Sequence, residues 1–294
     1  MGCSLCIKSF AKLNLYLEVL KKRPDSYHNL ITLFERINLY DKIYIKERSD
    51  TIINIRSNLR ELCQPPEDNL VYKAVKVLKD NLKINKGLDI YIEKSIPIAS
   101  GLGGGSSNAG ATLLGLNKFF HLRLTKDELL SYAKKLGADV PFFLYNCSFA
   151  LGKGRGDLVK PLNIKNIFWH ILILPNIKVL TKDIYYHLDR LKNKLPELTK
   201  KNSHVKMLIK GLRERDFKLI EKNIYNELEK VSFSLYPELD KIKMILKRKG
   251  LKNIFMSGSG PAMFSLFSSR KEAEWFKRQL DNQRRFKVIL VHTI

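Results

Sequence analysis

The sequence lacks any apolar run near the roughly 18 to 20 residues that a membrane-spanning helix needs. "NIFWHILILPNI" is too short and contains Pro175, so it reads as a buried strand. Cysteine is scarce, with four in 294 residues (Cys3, Cys6, Cys63 and Cys147). They make one C-x-x-C pair, without a second pair or a histidine cluster at zinc-finger spacing, and reduced thiols are the default for such a pattern. Nothing resembles a metal cage. Secretory h-region and cleavage site are missing too. Gly2 after Met1 invites a lipidation reading, but Cys6 stands where that pattern wants Ser or Thr. The expected setting is cytoplasmic. Acidic residues are also in deficit: 29 Asp and Glu face 53 Lys and Arg, a net charge of +24. Such a balance suits either a nucleic-acid surface or anionic small substrates. The lysines are scattered and not interleaved with aromatics, which speaks against specific nucleic-acid binding.

What is present is ordinary globular material, with 45% hydrophobic and 28% charged residues. Those shares are typical of a soluble domain, and neither repeats nor low-complexity tracts interrupt them. "KLNLYLEVL" alternates, with Leu13, Leu15, Leu17 and Val19 on one face and Lys12, Asn14, Tyr16 and Glu18 on the other. "DKIYIKERSDTIINIRS" predicts two short strands joined at Arg48-Ser49-Asp50. Leu70, Ala74, Val75, Leu78 and Leu82 lie at helical spacing, and "GLDIYIEKSI" reads as the next strand. "SSNAGATLLGLNKFF" reads as helical despite Gly110 and Gly115. Thr125 and Glu128 form a capping box for a helix that Gly137 stops. "CSFALGKG" is a further strand, and from about Asp157 to Asn166 the pattern breaks into a connection. A second block follows, with a strand, Lys-rich helices, the loop "SGSGPA", the strand "MFSLF", a helix and a final strand. Strands and helices mix in both halves, which predicts two α+β domains with a boundary near residue 160.

The densest local signal is Gly101-Leu102-Gly103-Gly104-Gly105-Ser106-Ser107, between a strand and a helix. Glycines let backbone N–H groups converge on an anion, and a helix N-terminus adds its dipole. The segment is not a Walker loop, because no Lys-Ser or Lys-Thr follows, and it lacks the Rossmann context. A phosphate cradle is the stronger reading, over a turn that merely admits close helix–sheet packing.

"PIASGLGGGSSNA" resembles the glycine loop of the GHMP kinases, a family of small-molecule kinases. "SFAKLNLYLEVLKKRPDSYHNL", "GADVPFF" and "SGSGPAMF", in that order, extend the resemblance over nearly the whole chain. It implies a two-domain α+β fold: residues 1–160 as an ATP-binding domain like the second domain of ribosomal protein S5, and 161–294 as a ferredoxin-like domain. It implies ATP, accompanied by Mg²⁺ with few protein ligands of its own, and a diphosphocytidyl-methylerythritol substrate. Partners would be these small molecules, with no specific nucleic acid and no membrane, in a monomer or homodimer. Another GHMP kinase, acting on homoserine, mevalonate or a sugar, is the nearest alternative; a basic RNA-binding module is more remote.

By the same resemblance, Lys12 and Asp139 are the catalytic pair. Alone, Lys12 would pass for a solvated lysine on a strand and Asp139 for a turn residue. ATP would be held by Ile96, Pro97, Ile98, Ala99, Ser100, Gly101, Leu102, Gly103, Gly104, Gly105, Ser106 and Ser107. Asn69, with Asp68 and Lys73, lies in the region that lines the adenine pocket. Tyr27 and His28 stand where cytosine is recognised, with Ser26 in place of the usual glycine. Tyr185 aligns with a second stacking aromatic, Tyr186 being a competitor. Asn14, Thr181 and Asp183 are further substrate candidates, and Ser257, Gly258, Ser259 and Gly260 resemble the third family motif. His170 and His187 are expected to be packed or solvated residues.

Overall fold

The computed structural model describes residues 4–62, 65–192, 202–281 and 283–294; Cys3 and Cys63 lie outside the described residues. Strands β1 (Ser4–Lys22) and β2 (His28–Arg48) form a long antiparallel hairpin, the spine of the molecule. After β3 (Ile53–Ser57), helix α1 (Leu70–Leu82) buries Val71, Ala74, Val75 and Leu78, one stripe at helical spacing. Strand β4 (Gly87–Glu93) leads into the glycine loop and α2 (Gly104–Phe119). Helices α3 (Lys126–Leu136) and α4 (Val140–Phe143) precede the hairpin β5 (Phe149–Lys153) and β6 (Leu158–Leu162). The capping box of Thr125 and Glu128 is formed.

The second half begins with β7 (Trp169–Pro175). Five helices follow: α5 (Thr181–Lys192), α6 (Asn202–Glu214), α7 (Phe217–Asn223), then after β8 (Tyr225–Asn226), α8 (Glu227–Leu235) and α9 (Pro237–Arg248). Strands β9 (Phe255–Met256) and β10 (Met263–Phe267), helix α10 (Arg270–Leu280) and β11 (Phe286–His292) complete it. The second sheet runs β11-β7-β10-β9 with antiparallel neighbours, the order of a ferredoxin-like β-α-β-β-α-β layout. The first sheet has the path β3-β4-β2-β1-β8, with β5 and β6 attached to β2. Strand β8 thus crosses from the second half to lie parallel to β1, pairing Tyr16 with Tyr225.

Three expectations change. The stretch 157–166 is not wholly a connection: β6 occupies its start, and its mostly exposed side chains explain the weak pattern. Asp41–Arg48 is not a separate short strand but the end of the 21-residue β2, whose stretch from Ile31 to Glu35 is buried on both faces and shows no alternation. The polar face of β1 is not an outer face either. Lys12, Asn14 and Tyr16 are buried as Leu13 and Leu15 are: the glycine loop and Asp139 close over Lys12, while Ser257, Gly258 and Tyr225 of the second half cover Asn14 and Tyr16.

One apolar core crosses both sheets, joining Leu13, Leu15 and Ile37 to Phe168, Leu172, Phe264 and Val291. Within it sits a polar cluster. His170 Nε2 lies 2.8 Å from Glu35 Oε1, and the Thr293 hydroxyl donates to the same oxygen at 2.5 Å. His170 is thus packed, as expected, and ties β7 to β2. The glycines inside α2 have a packing reason: a Cβ on Gly115 would stand 2.1 Å from Ile7 Cδ1, and one on Gly110 2.9 Å from Phe143 Cβ. No helix among the described residues is long and apolar enough to cross a membrane.

Candidate active site

The glycine loop is held from below. Ile96 and Leu102 are fully buried anchors. Asp41 Oδ1 accepts from the backbone N–H groups of Ser95 and Ile96 at 2.8 Å, while Oδ2 accepts from Asn108 Nδ2 and Lys94 Nζ. Above these anchors the backbone turns left-handed at Gly101 (φ 79°) and Gly103 (φ 69°) and delivers the first N–H groups of α2 to a cavity. Those groups have no partner within the helix, which makes this end a natural anion site. The cavity, about 320 Å³, is lined by Pro97 to Gly101, Gly103 to Ser106, Lys94 and Asn69. Burial pulls the Lys94 ammonium pKa down, against the pull of Asp41.

Not every residue of the loop faces this space. Ser107 is buried, its hydroxyl donating to the Phe10 carbonyl at 2.6 Å and accepting from Ser9, so it fastens α2 to β1. The Asn69 side chain caps α1 through Val71 N–H and donates to the Leu62 carbonyl, so it shapes the wall with both polar ends engaged. Asp68 lines the cavity; Lys73 does not.

A second cavity of about 700 Å³ meets the first at Gly101, Gly103 and Ser106. Lys12, Asn14, Tyr27, His28, Asp139, Thr181, Tyr185, Gly258 and Ser259 all line it, so most of the candidates, drawn from both halves of the chain, converge there. Asp183 does not. Lys12 Nζ lies 3.5 Å from Asp139 Oδ2 and donates to Asn14 Oδ1. Burial lowers the Lys12 pKa, and the Asp139 carboxylate opposes this. Asp139 occupies the turn between α3 and α4, its side chain one-third exposed toward the cavity. A Cβ on Gly103 would come within 3.0 Å of the Lys12 side chain, so the close approach of loop and lysine needs glycine here.

The third-motif loop folds onto the first. Ser257 Oγ donates to the Gly101 carbonyl at 3.1 Å and accepts from Asn14 N–H, and the Ala262 N–H donates to the Ser100 carbonyl. Thr181 Oγ1 and Ser259 Oγ are 2.8 Å apart, linking the start of α5 to the same loop.

At the far end, Tyr27 is half-exposed at the tip of the β1–β2 hairpin, with the Arg155 guanidinium 4.9 Å above its ring. His28 is buried and stacks on Tyr185, centroids 5.4 Å apart and planes 22° apart. Tyr186 also reaches the rim but is 59% exposed, whereas Tyr185 packs inward. Ser26 keeps a backbone suited to the glycine it replaces, with φ 66°. The tip therefore turns tightly at a residue that disfavours this conformation.

Sequence reasoning missed four residues here: Asp41, Lys94, Arg155 and Asp189. Lys94 ends the strand next to the glycine loop, and Arg155 is flanked by Gly154 and Gly156, which were usable signals. Asp189 follows Tyr185 by four and Thr181 by eight, on one helix face. Asp41 gave none, since its partners are far apart in sequence.

Comparison with known proteins agrees with this architecture. Residues 69–147 match the GHMP kinases N terminal domain, and 208–284 the GHMP kinases C terminal domain. A solved L. major mevalonate kinase shares the fold, with a TM-score of 0.77 at 15% identity over 99% of this chain and 96% of that one. The chain belongs to the GHMP kinases, ATP-dependent phosphotransferases. A protein of Lachnoclostridium phytofermentans, 4-diphosphocytidyl-2-C-methyl-D-erythritol kinase, is 39% identical over 270 residues, 92% of this chain and 90% of its own length. A solved 4-(cytidine 5'-diphospho)-2C-methyl-D-erythritol kinase has a TM-score of 0.77 at 30% identity, covering 98% of this chain and 99% of that one. Within its class, then, the chain falls in the 4-diphosphocytidyl-2-C-methyl-D-erythritol kinase family. The two solved folds superpose equally well, so sequence rather than shape separates the families.

Proposed function

We propose that this protein transfers the γ-phosphoryl group of ATP to the 2-hydroxyl of 4-diphosphocytidyl-2-C-methyl-D-erythritol, in the non-mevalonate route to isoprenoid precursors. The observation that carries this reading is the Lys12–Asp139 pair, set where the glycine-loop cavity opens into the longer cleft. In this reading ATP lies with its adenine toward Asn69 and its phosphates on the N–H groups of Gly104 to Ser106. The acceptor hydroxyl sits between Lys12, Asp139 and the γ-phosphate. As the hydroxyl oxygen bonds to phosphorus and the bond to the ADP oxygen breaks, Asp139 takes the hydroxyl proton. Lys12 holds Asp139 ionised and faces the charge that spreads over the transferring group. Asn14 holds the Lys12 ammonium, and Thr181 lies beside the acceptor.

At the other end, cytosine lies against Tyr27 and Tyr185 with its polar edge toward His28. Arg155 and Lys22 at the rim meet the diphosphate. Among the described residues no group of three His, Cys, Asp or Glu side chains is arranged to hold a metal. Mg²⁺ enters in this reading as part of the nucleotide substrate, keeping most of its water. The setting is the cytoplasm, with ATP at hand and thiols reduced. A coupled assay for ADP release tests the assignment: turnover with diphosphocytidyl-methylerythritol and none with homoserine or mevalonate is expected. Folded enzyme that releases no ADP with the first substrate would overturn it.

A further inference from the structure

His28 is not free to choose its protonation pattern. Its Nε2 lies 2.6 Å from Asp189 Oδ1, and the other carboxylate oxygen accepts from Lys22 Nζ at 2.5 Å. Burial works against the ionised form of Asp189, but the hydrogen bonds from Lys22 and His28 outweigh it and hold its pKa below the ordinary carboxylate range. An ionised carboxylate only accepts, so the proton between Asp189 and His28 belongs to Nε2. In the neutral ring this leaves Nδ1 as a bare lone pair. Tyr185, one turn before Asp189 on α5, stacks on the face of the ring and sets its plane.

We propose that Asp189 is a positioning residue, fixing His28 as the Nε2–H tautomer so that Nδ1 accepts from the exocyclic amine of cytosine and faces the carbonyl of uracil with a lone pair. The inference rests on the cytidine reading above. At that position cytosine carries an N–H donor where uracil has an acceptor oxygen, so an imposed acceptor discriminates between them. With a flexible partner in place of Asp189, the imidazole could switch tautomer and welcome either base.

Two measurements test this together. Nitrogen NMR of the labelled imidazoles in the folded wild-type enzyme should show His28 protonated at Nε2 and bare at Nδ1. Inhibition by CDP and UDP, with KM and kcat for the cytidine substrate, is then compared in Asp189→Asn and Asp189→Glu. In Asp189→Asn, whose amide can donate to Nε2, the preference for CDP should fall about ten-fold or more, with the loss in KM exceeding that in kcat. Asp189→Glu, which keeps the carboxylate, should recover part of it. A wild-type His28 that carries a proton on Nδ1, whether alone or as the imidazolium, or an unaltered CDP preference in Asp189→Asn, overturns the proposal. If Asp189→Asn does not fold, the wild-type tautomer decides. If wild-type enzyme binds CDP and UDP alike, the cytidine reading itself has failed, and the nitrogen spectrum shows separately whether Asp189 sets the ring.

Discussion

The two ends of the cleft are built by different means. At the phosphate end the chain is stripped of side chains and sealed from below by buried polar groups: Asp41, Asn108, Ser9 and Ser107 are all buried. At the end proposed for cytidine the side chains are large and held by charge: Asp189 by Lys22 and His28, Arg155 by Asp157. Backbone presents donors whose positions hardly vary, which suits phosphates shared by a whole class of enzymes. Side chains on a hairpin tip and one helix face can change without disturbing the core, which suits the part that differs between substrates.

The sharpest way to break this comparison is at the junction. Asp139→Asn should lower kcat by about two to four orders of magnitude with KM for the cytidine substrate nearly kept. Wild-type turnover in that folded variant would remove Asp139 as the base. Gly101→Ala comes next. Its Cβ would stand 2.2 Å from the Ser257 carbonyl oxygen at a φ of 79°. A loss of a few kcal/mol in urea unfolding and a raised KM for ATP are expected, at roughly the cost of other left-handed outliers or more.

At the far end the damage should fall on KM alone. Tyr27→Ala and Tyr185→Ala should each raise KM for the cytidine substrate about ten-fold, the scale of a lost base stack. Tyr186→Ala should change it little, and the reverse order would exchange the two tyrosines. The pH profile separates the ends again. The role proposed for Lys12 needs its ammonium form, and burial lowers its pKa, so the alkaline limb of kcat should fall before an ordinary lysine, at 10.5, would impose it. In Lys12→Arg, charged throughout that range, the residual activity should lose this limb. The mildest change is Ser26→Gly, which relieves the left-handed turn and should stabilise the fold by less than about 1 kcal/mol in thermal unfolding.

Legibility in the sequence followed the same line. The glycine loop, the capping box of α3 and the strand after the third-motif loop announce themselves because their signals are local: a φ, a cap, a short apolar run. Lys12 and Asp139 stand far apart in the chain and become a pair only when β1 is covered from both sides; the family resemblance, not periodicity, singled them out. The length of β2 was hidden because its stretch from Ile31 to Glu35 is buried on both faces and loses its alternation. Asp41 and Asp189 were invisible for a related reason. Each is a common acidic residue whose importance lies in partners supplied by other elements.

Strand β8 carries a consequence for anyone who would divide this chain. It pairs with β1 through Tyr225 and Asn226, and beyond it Glu227 accepts from the Val19 N–H at 2.7 Å. A first half expressed by itself would leave that rim of the sheet bare, a row of unpaired amides and carbonyls inviting any other strand. A cut at the midpoint parts β8 from β1, and a cut after β8 parts β7 from β10 and β11, so either split version of the enzyme leaves a bare strand edge until its fragments reassemble.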